Sequence, residues 1–337
     1  MKKVLAALFT ATMILAGCGS SDGGDSKSLV VYSPNSEGLI ASTIPAFEEK
    51  YDIKVDLIQA GTGELFTKMN SEANNPVADV MFGGAYSTFT QNENLFEPYT
   101  SPNNDMVIED YQNKTGYITP YVLDGSVLIV NNNLIGDLEI NGYADLLNPE
   151  LKGKIATADP ASSSSAFAQL TNMLLAMGGY EDEGVWDYVK ELFTNIDGKL
   201  ASGSSNVYKS VSDGEMVVGL TYEDPSVALL NNGADVTIVY PEEGTVFLPA
   251  GSAIIKGAKN MDNAKLFIDF IISQEIQNVY GTQTTNRPVL KDVETSDTMT
   301  PMSEINTITE DIDYVREHKD EMVEKYKTIF AEIESNK

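Results

Sequence analysis

Short β-branched apolar runs alternate with amphipathic helical segments along most of this chain, and that alternation restricts the fold more than any other feature. Leu29-Val30-Val31-Tyr32-Ser33 is one such run, and residues 36–51 then set Leu39, Ile40, Ile44 and Phe47 at helical spacing. Residues 53–60 predict a second strand and 63–73 a second helix. Residues 78–82 predict a third strand, with a short helix from Tyr86. Strand, helix, strand order implies parallel pairing through right-handed crossovers, hence an α/β layer.

The pattern restarts at residues 121–131, where Val127-Leu128-Ile129-Val130 reads as a buried strand carrying the chain out of one lobe into another. Residues 154–158 predict a strand, 164–177, 186–193 and 204–212 helices, and 217–222 and 235–240 two further strands. A second long β-prone run, residues 245–255, is broken at Pro249-Ala250-Gly251 and returns the chain to the first lobe. Two crossings make a hinge. Residues 263–273 and 274–280 predict helices. Residues 311–336 predict a charged terminal helix whose Val315, Met322 and Ile329 are expected to pack on the first lobe. The expected division is residues 29–125 with 246–337 in lobe 1, and 126–245 in lobe 2.

Met1-Lys2-Lys3, an apolar run over residues 4–15, and small residues before Cys18 read as a secretory signal of the lipoprotein type, with residues 1–17 removed. Cys18 is the only cysteine, so no intrachain disulfide is possible and its expected use is as a lipid acceptor. The apolar run is shorter than the roughly 20 residues a spanning helix needs. Residues 18–28, rich in Gly, Ser and Asp, are expected to be a tether, placing the protein lipid-anchored at the extracytoplasmic face of a cell membrane. Loss of Lys2 and Lys3 moves the formal charge from -28 to -30. Nucleic acid is then a poor partner, because its affinity comes from Lys and Arg contacts with phosphates.

The residues of functional interest sit where strands give way to helices. Four junctions carry hydroxyl or glycine residues: Ser33-Pro34-Asn35-Ser36, Gly61-Thr62-Gly63, Asp159-Pro160-Ala161-Ser162-Ser163-Ser164-Ser165, and Ser202-Gly203-Ser204-Ser205. A helix N-terminus offers unpaired N–H donors and about +0.5 charge, so it attracts anions without a formal cation. In open α/β sheets such junctions lie at the carboxyl ends of strands, where ligands bind. The competing reading is that each Ser or Asn caps its own helix. Four serines in a row exceed what a cap needs.

The lipobox, the tether, Val30-Val31-Tyr32-Ser33-Pro34, Ala78-Asp79-Val80-Met81-Phe82-Gly83-Gly84, Lys152-Gly153-Lys154-Ile155 and Asp159 to Phe167 together make the chain resemble the extracellular solute-binding proteins of ABC importers. The branch it resembles contains ferric-iron, thiamine, hexose-phosphate and aminoethylphosphonate receptors. The resemblance implies a two-lobed type II periplasmic-binding-protein fold, no cofactor, a monomer, a permease partner, and a small anionic solute in the interlobe cleft. Ferric members of that branch carry adjacent tyrosines where this chain has Gly219-Leu220-Thr221-Tyr222-Glu223-Asp224-Pro225. Tyr208, Tyr222, Glu223 and Asp224 remain the candidate oxygen ligands for iron. For an organophosphate, serine hydroxyls and helix ends would hold the phosphoryl group while Glu223 and Asp224 accept hydrogen bonds from the other end. Glu223-Asp224-Pro225 also reads as a turn in which Asp caps the next helix. Arg287, before Pro288, has a fork suited to phosphate, yet a surface loop is its commoner setting. Gly84, in Gly83-Gly84-Ala85-Tyr86, either brings backbone N–H groups to the cleft or forms a tight turn.

A serine hydrolase is the remaining class to weigh. The single histidine, His318, lies in the charged terminal helix, no Ser-x-x-Lys pattern supplies a base, and the Gly-x-Ser-x-Gly match at residues 19–23 lies in the tether and not at a strand-to-helix elbow. One histidine and one cysteine do not make a zinc set, and the phosphate loop ending Gly-Lys-Ser/Thr is missing.

Overall fold

The computed structural model describes residues 27–336; the signal segment and Cys18 lie outside the described residues. The first lobe opens with β1 (Ser28–Ser33), α1 (Glu37–Tyr51), β2 (Lys54–Gln59), α2 (Thr62–Glu72), β3 (Val80–Ala85) and α3 (Tyr86–Thr90). After the long strand β4 (Thr119–Asn131) come β5 (Ile155–Ala158), α4 (Ser164–Met177), α5 (Glu183–Ile196), β6 (Leu200–Ala201), α6 (Ser204–Ser212), β7 (Val218–Tyr222), α7 (Glu223–Asn231) and β8 (Val236–Val239). The chain returns through β9 (Thr245–Ile254) to α8 (Met261–Ile271), α9 (Gln274–Gln283), β10 (Arg287–Pro288), β11 (Thr307–Ile308) and α10 (Ile312–Ser335).

Each lobe has its own core. Leu39, Thr43, Ile44 and Phe47 form the buried side of α1, and Phe47 meets Phe267 and Phe270 of α8 at ring-centroid distances of 5.1 and 5.6 Å. In the second lobe Val185, Trp186, Val189, Leu192, Phe193 and Ile196 give α5 one apolar stripe, packed with Leu128, Ile155, Leu170 and Val218. The side chain of Asp182 accepts from the N–H groups of Gly184 and Val185 and fixes where α5 starts.

β4 determines how the lobes face. β1 pairs in parallel with β2 and β3; β9 is antiparallel to both β3 and β4, so β4 runs in the direction of β1 through the first lobe. Past Gly125 it pairs antiparallel with β7, beginning at Ser126 opposite Tyr222, and β5 and β6 follow β7 in parallel. β4 therefore leaves the first lobe at the carboxyl edge of its parallel strands and enters the second at the carboxyl edge of β7. The two carboxyl edges face each other across the hinge.

Four expectations change. β9 runs unbroken through Pro249-Ala250-Gly251: Gly251 is there because a Cβ would lie 2.9 Å from Ile118 and 3.1 Å from Phe89, a close approach rather than a turn. α10 buries Val315 and Met322 as expected, but against the second core, with Tyr326 at 5.0 Å from Phe193 and Lys190 bonded to Glu332. Apolar spacing gives the face of a helix and not its partner. Since Ile305 belongs to the first core, the segment leading into α10 adds a third interlobe connection to the two expected. Glu223-Asp224-Pro225 is the first turn of α7, where proline has no intrahelical donor to lose.

Arg287 is not on a surface loop. It is 2% exposed, and its Nε and Nη2 donate to the two oxygens of Glu223, itself 1% exposed. Nη2 also donates to the Thr300 carbonyl, Tyr240 Oη donates to Glu223, and the guanidinium carbon lies 5.0 Å above the Phe247 ring. The same ring lies against Gly125, where a Cβ would approach it to 2.5 Å. β10, α7 and both crossing strands thus meet at one buried ion pair. Removing one partner strands the other charge, so Arg287→Met is expected to cost about 3–5 kcal/mol in denaturant unfolding. The double variant with Glu223→Gln should recover most of that loss.

Candidate functional site

On the first-lobe edge, Ser33 Oγ and Asn35 Nδ2 both donate to the Phe82 carbonyl, at 2.6 and 3.1 Å, and Tyr121 Oη donates to Asn35 Oδ1 at 2.7 Å. Ser33 is fully buried, so its hydroxyl braces the edge from behind rather than facing solvent. Gly83, at φ +114°, lies so close to Asn35 that a Cβ would sit 2.6 Å from Oδ1. Gly84, at φ +121°, faces Thr62. Ser36 occupies the N-cap of α1 and Gly61 that of α2, and neither makes a side-chain cap bond. Ser36, Gly61 and Gly63 are exposed and Thr62 is half-buried. The capping explanation of Ser36 therefore fails, and the first N–H groups of both helices stay open.

On the second-lobe edge the serine run divides. Ser163 caps α4, accepting from Ala166 N at 3.4 Å, and shares a 3.3 Å hydroxyl contact with Ser165; Ser162 turns back on Asp159. Ser164 and Ser165 are the first two helical residues. α6 begins with Ser204 and Ser205 after Gly203, again without a side-chain cap, and Ser204 hydrogen-bonds Tyr222. Tyr208 and Tyr222 stand edge to face at 6.4 Å. Glu223 points away into its pair with Arg287. Asp224 stays on the cleft side, accepting from the Thr285 hydroxyl of the first lobe.

Asp124 is a candidate site residue that the sequence reading did not single out. It lies in β4 two residues before Ser126, which pairs with Tyr222 at the end of β7, and α7, which starts at Glu223, packs on β4 there. Asp124 Oδ1 is sealed from solvent and has no hydrogen-bond partner. Burial, reinforced by the charges of Asp224 and Glu223, pushes its carboxyl up to about 8. Burial also raises the Asp224 carboxyl, and burial with the neighbouring acids raises the Tyr208 and Tyr222 phenols. The signal was present: one acid interrupts an apolar crossing strand, Val122-Leu123-Asp124-Gly125-Ser126-Val127.

What these edges define is a hinged clamp: uncapped helix ends and hydroxyls on both jaws, two carboxylates and two phenols near the hinge. The chain belongs to the bacterial extracellular solute-binding protein family, whose model matches residues 29–282. It is 34% identical to an uncharacterized protein of Haemophilus influenzae, over 82% of this chain and 80% of that one. It is 25% identical to a putative 2-aminoethylphosphonate-binding periplasmic protein of Salmonella typhimurium, over 75% and 74%. Among solved structures, the periplasmic binding protein AfuA of Actinobacillus pleuropneumoniae, with fructose-6-phosphate bound, superposes with a TM-score of 0.78 at 29% identity, covering 91% of this chain and 99% of that one. The chain is a solute-binding protein of an ABC importer, of the type II periplasmic-binding fold, and its relatives are binding proteins rather than enzymes. Among the described residues no helix is long and apolar enough to cross a membrane, and no cluster of three His, Cys, Asp or Glu is placed to hold a metal.

Two predictions follow from the carboxyls and the cap. A carboxyl that keeps its proton to higher pH in the folded state adds stability that is full below the ordinary carboxylate range and lost as the pH rises through about 8. The melting temperature of ligand-free protein should therefore fall between pH 5 and pH 8.5, and Asp124→Asn should flatten that fall. Glu310, pushed up to about 7 by burial, accounts for part of the slope that remains. Ser163→Ala should cost about 1 kcal/mol of stability through the lost cap, whereas Ser164→Ala should leave thermal unfolding unchanged.

Proposed function

We propose that this chain is an extracytoplasmic receptor that closes its two lobes over a small solute bearing a phosphoryl-type acidic end, and that Cys18 tethers it beside the permease as a lipid-anchored monomer. The observation that carries this reading is the facing of the two carboxyl edges, which aims the open N-termini of α1, α2 and α6, and the Ser163-capped N-terminus of α4, at one cleft. Asn35, Ser36, Thr62, Gly63 and Gly84 hold the acidic end from the first lobe, and Ser164, Ser165, Ser204 and Ser205 from the second. Asp224, rather than Glu223, accepts hydrogen bonds from the other end. The fructose-6-phosphate in the related binding protein and the phosphonate in the name of the Salmonella relative support this class of solute.

No turnover is expected. His318 is held on α10, with Nδ1 at 2.9 Å from the Tyr314 carbonyl and its ring stacked on Tyr314 at 4.0 Å, and it makes no hydrogen bond to the serine run. Ferric iron is the second reading, favoured by the hard oxygens of Tyr208, Tyr222 and Asp224. Burial opposes it by keeping both phenols protonated in the free protein.

A thermal-shift panel of hexose phosphates, 2-aminoethylphosphonate, inorganic phosphate, thiamine and ferric citrate tests the reading. The true ligand should add about 2.7 kcal/mol of stability at 100 times its dissociation constant and be recovered unchanged. Stabilisation by ferric ion alone, with a tyrosinate charge-transfer colour, overturns the organophosphate reading.

A further inference from the structure

We infer that Asp124 and Asp224 form an ammonium subsite at the hinge end of the cleft, so that the captured solute carries a primary amine opposite its acidic end. This deepens the receptor reading above and rests on it. Three observations on different elements converge here. The β4–β7 ladder ends at Ser126 opposite Tyr222, and α7 starts at the next residue and packs on β4, so a carboxyl from the crossing strand and one from the first turn of α7 come near enough for their charges to interact. Asp124 Oδ1 is sealed and unpartnered, an acceptor left without a donor in the free protein. Arg287 does not serve it: Nε and Nη2 bond Glu223 and Thr300, and Nη1, buried, bonds no group.

α7 presents Asp224 and the already paired Glu223, β10 presents Arg287, and β7, α6 and the first lobe present the phenols of Tyr222, Tyr208 and Tyr121. Two acids thus lie within reach of each other's charge, and among the described residues no cation bonds Asp124 Oδ1. Sugar hydroxyls would donate hydrogen bonds here but leave the like charges uncompensated. An ammonium brings three donors and the missing positive charge, and the Tyr208 and Tyr222 phenols lie close enough to Asp224 to feel its charge.

Proton linkage gives the subsite a signature. Burial and mutual repulsion keep a proton on the pair in the free protein up to about pH 8. An ammonium displaces that proton, so amine-bearing ligands should bind more tightly at pH 8 than at pH 6, while an amine-free analogue should not.

Titration calorimetry on the mature receptor decides it, with 2-aminoethylphosphonate, ethylphosphonate, glucose 6-phosphate and putrescine as probes, in wild type, Asp124→Asn and Asp224→Asn. Unfolding curves for each variant establish that it folds. The expected result is 2-aminoethylphosphonate bound at least about 100-fold more tightly than ethylphosphonate, with the gap largely erased in Asp124→Asn. Equal binding of the two phosphonates, or a gap that survives both substitutions, overturns the subsite. Binding of glucose 6-phosphate alone also overturns the subsite and leaves the organophosphate receptor standing. Putrescine binding that is lost in Asp124→Asn, with no phosphonate bound, supports the subsite and overturns the acidic-end reading.

Discussion

The direction of β4 is the constraint on which the rest of the structure depends. One strand cannot lie parallel to the first lobe's sheet and antiparallel to the second's without turning the carboxyl edges of both toward the point where it crosses. Everything of functional interest follows from that geometry: the glycine and hydroxyl junctions after β1, β2, β3, β5 and β6 end up on opposing surfaces, although they are spread over some 170 residues of sequence. Gly125 and Phe247 allow the crossing to be tight, and Glu223 with Arg287 pins it.

Electrostatics then sorts the acids of a chain whose formal charge is -28. Most are solvated on helix faces such as that of α10. Near the hinge, two acids in adjacent positions have opposite fates. Glu223 turns inward to a guanidinium, while Asp224 turns to the cleft beside Asp124, where burial makes a negative charge costly. Consecutive residues at the start of a helix project about 100° apart, so a single sequence position separates the group paired with Arg287 from the group bonded to Thr285.

Much of this was legible in the sequence because the governing signals are local. Residues 164–177 and 204–212 were delimited as helices with the bounds the structure has, since serine junctions start them and glycine or aspartate ends them. The serine run was legible as a helix start. Its internal division into a cap, Ser163, and open residues, Ser164 and Ser165, depends on which hydroxyl folds back, which no pattern records. The misplaced features are those settled by contact between distant segments. Arg287 precedes a proline, which suggests a loop, but Phe247 and Glu223 build a buried slot for it. Asp124 is one acid in an apolar strand, and only the packing of β7 and α7 around it sets it apart. The stripe on α10 was correctly read and wrongly docked, because an apolar face matches either core.

The docking of α10 has a mechanical consequence. With β4, β9 and the segment entering α10 all joining the lobes, the hinge resembles a door hung on three straps rather than a ball joint on one. Sliding and twisting would stretch one strap against another, which leaves a single swing as the soft coordinate. A membrane complex that senses the outer faces of both lobes then reads one variable, the angle of that swing, and a solute that merely sticks to one jaw leaves the reading unchanged.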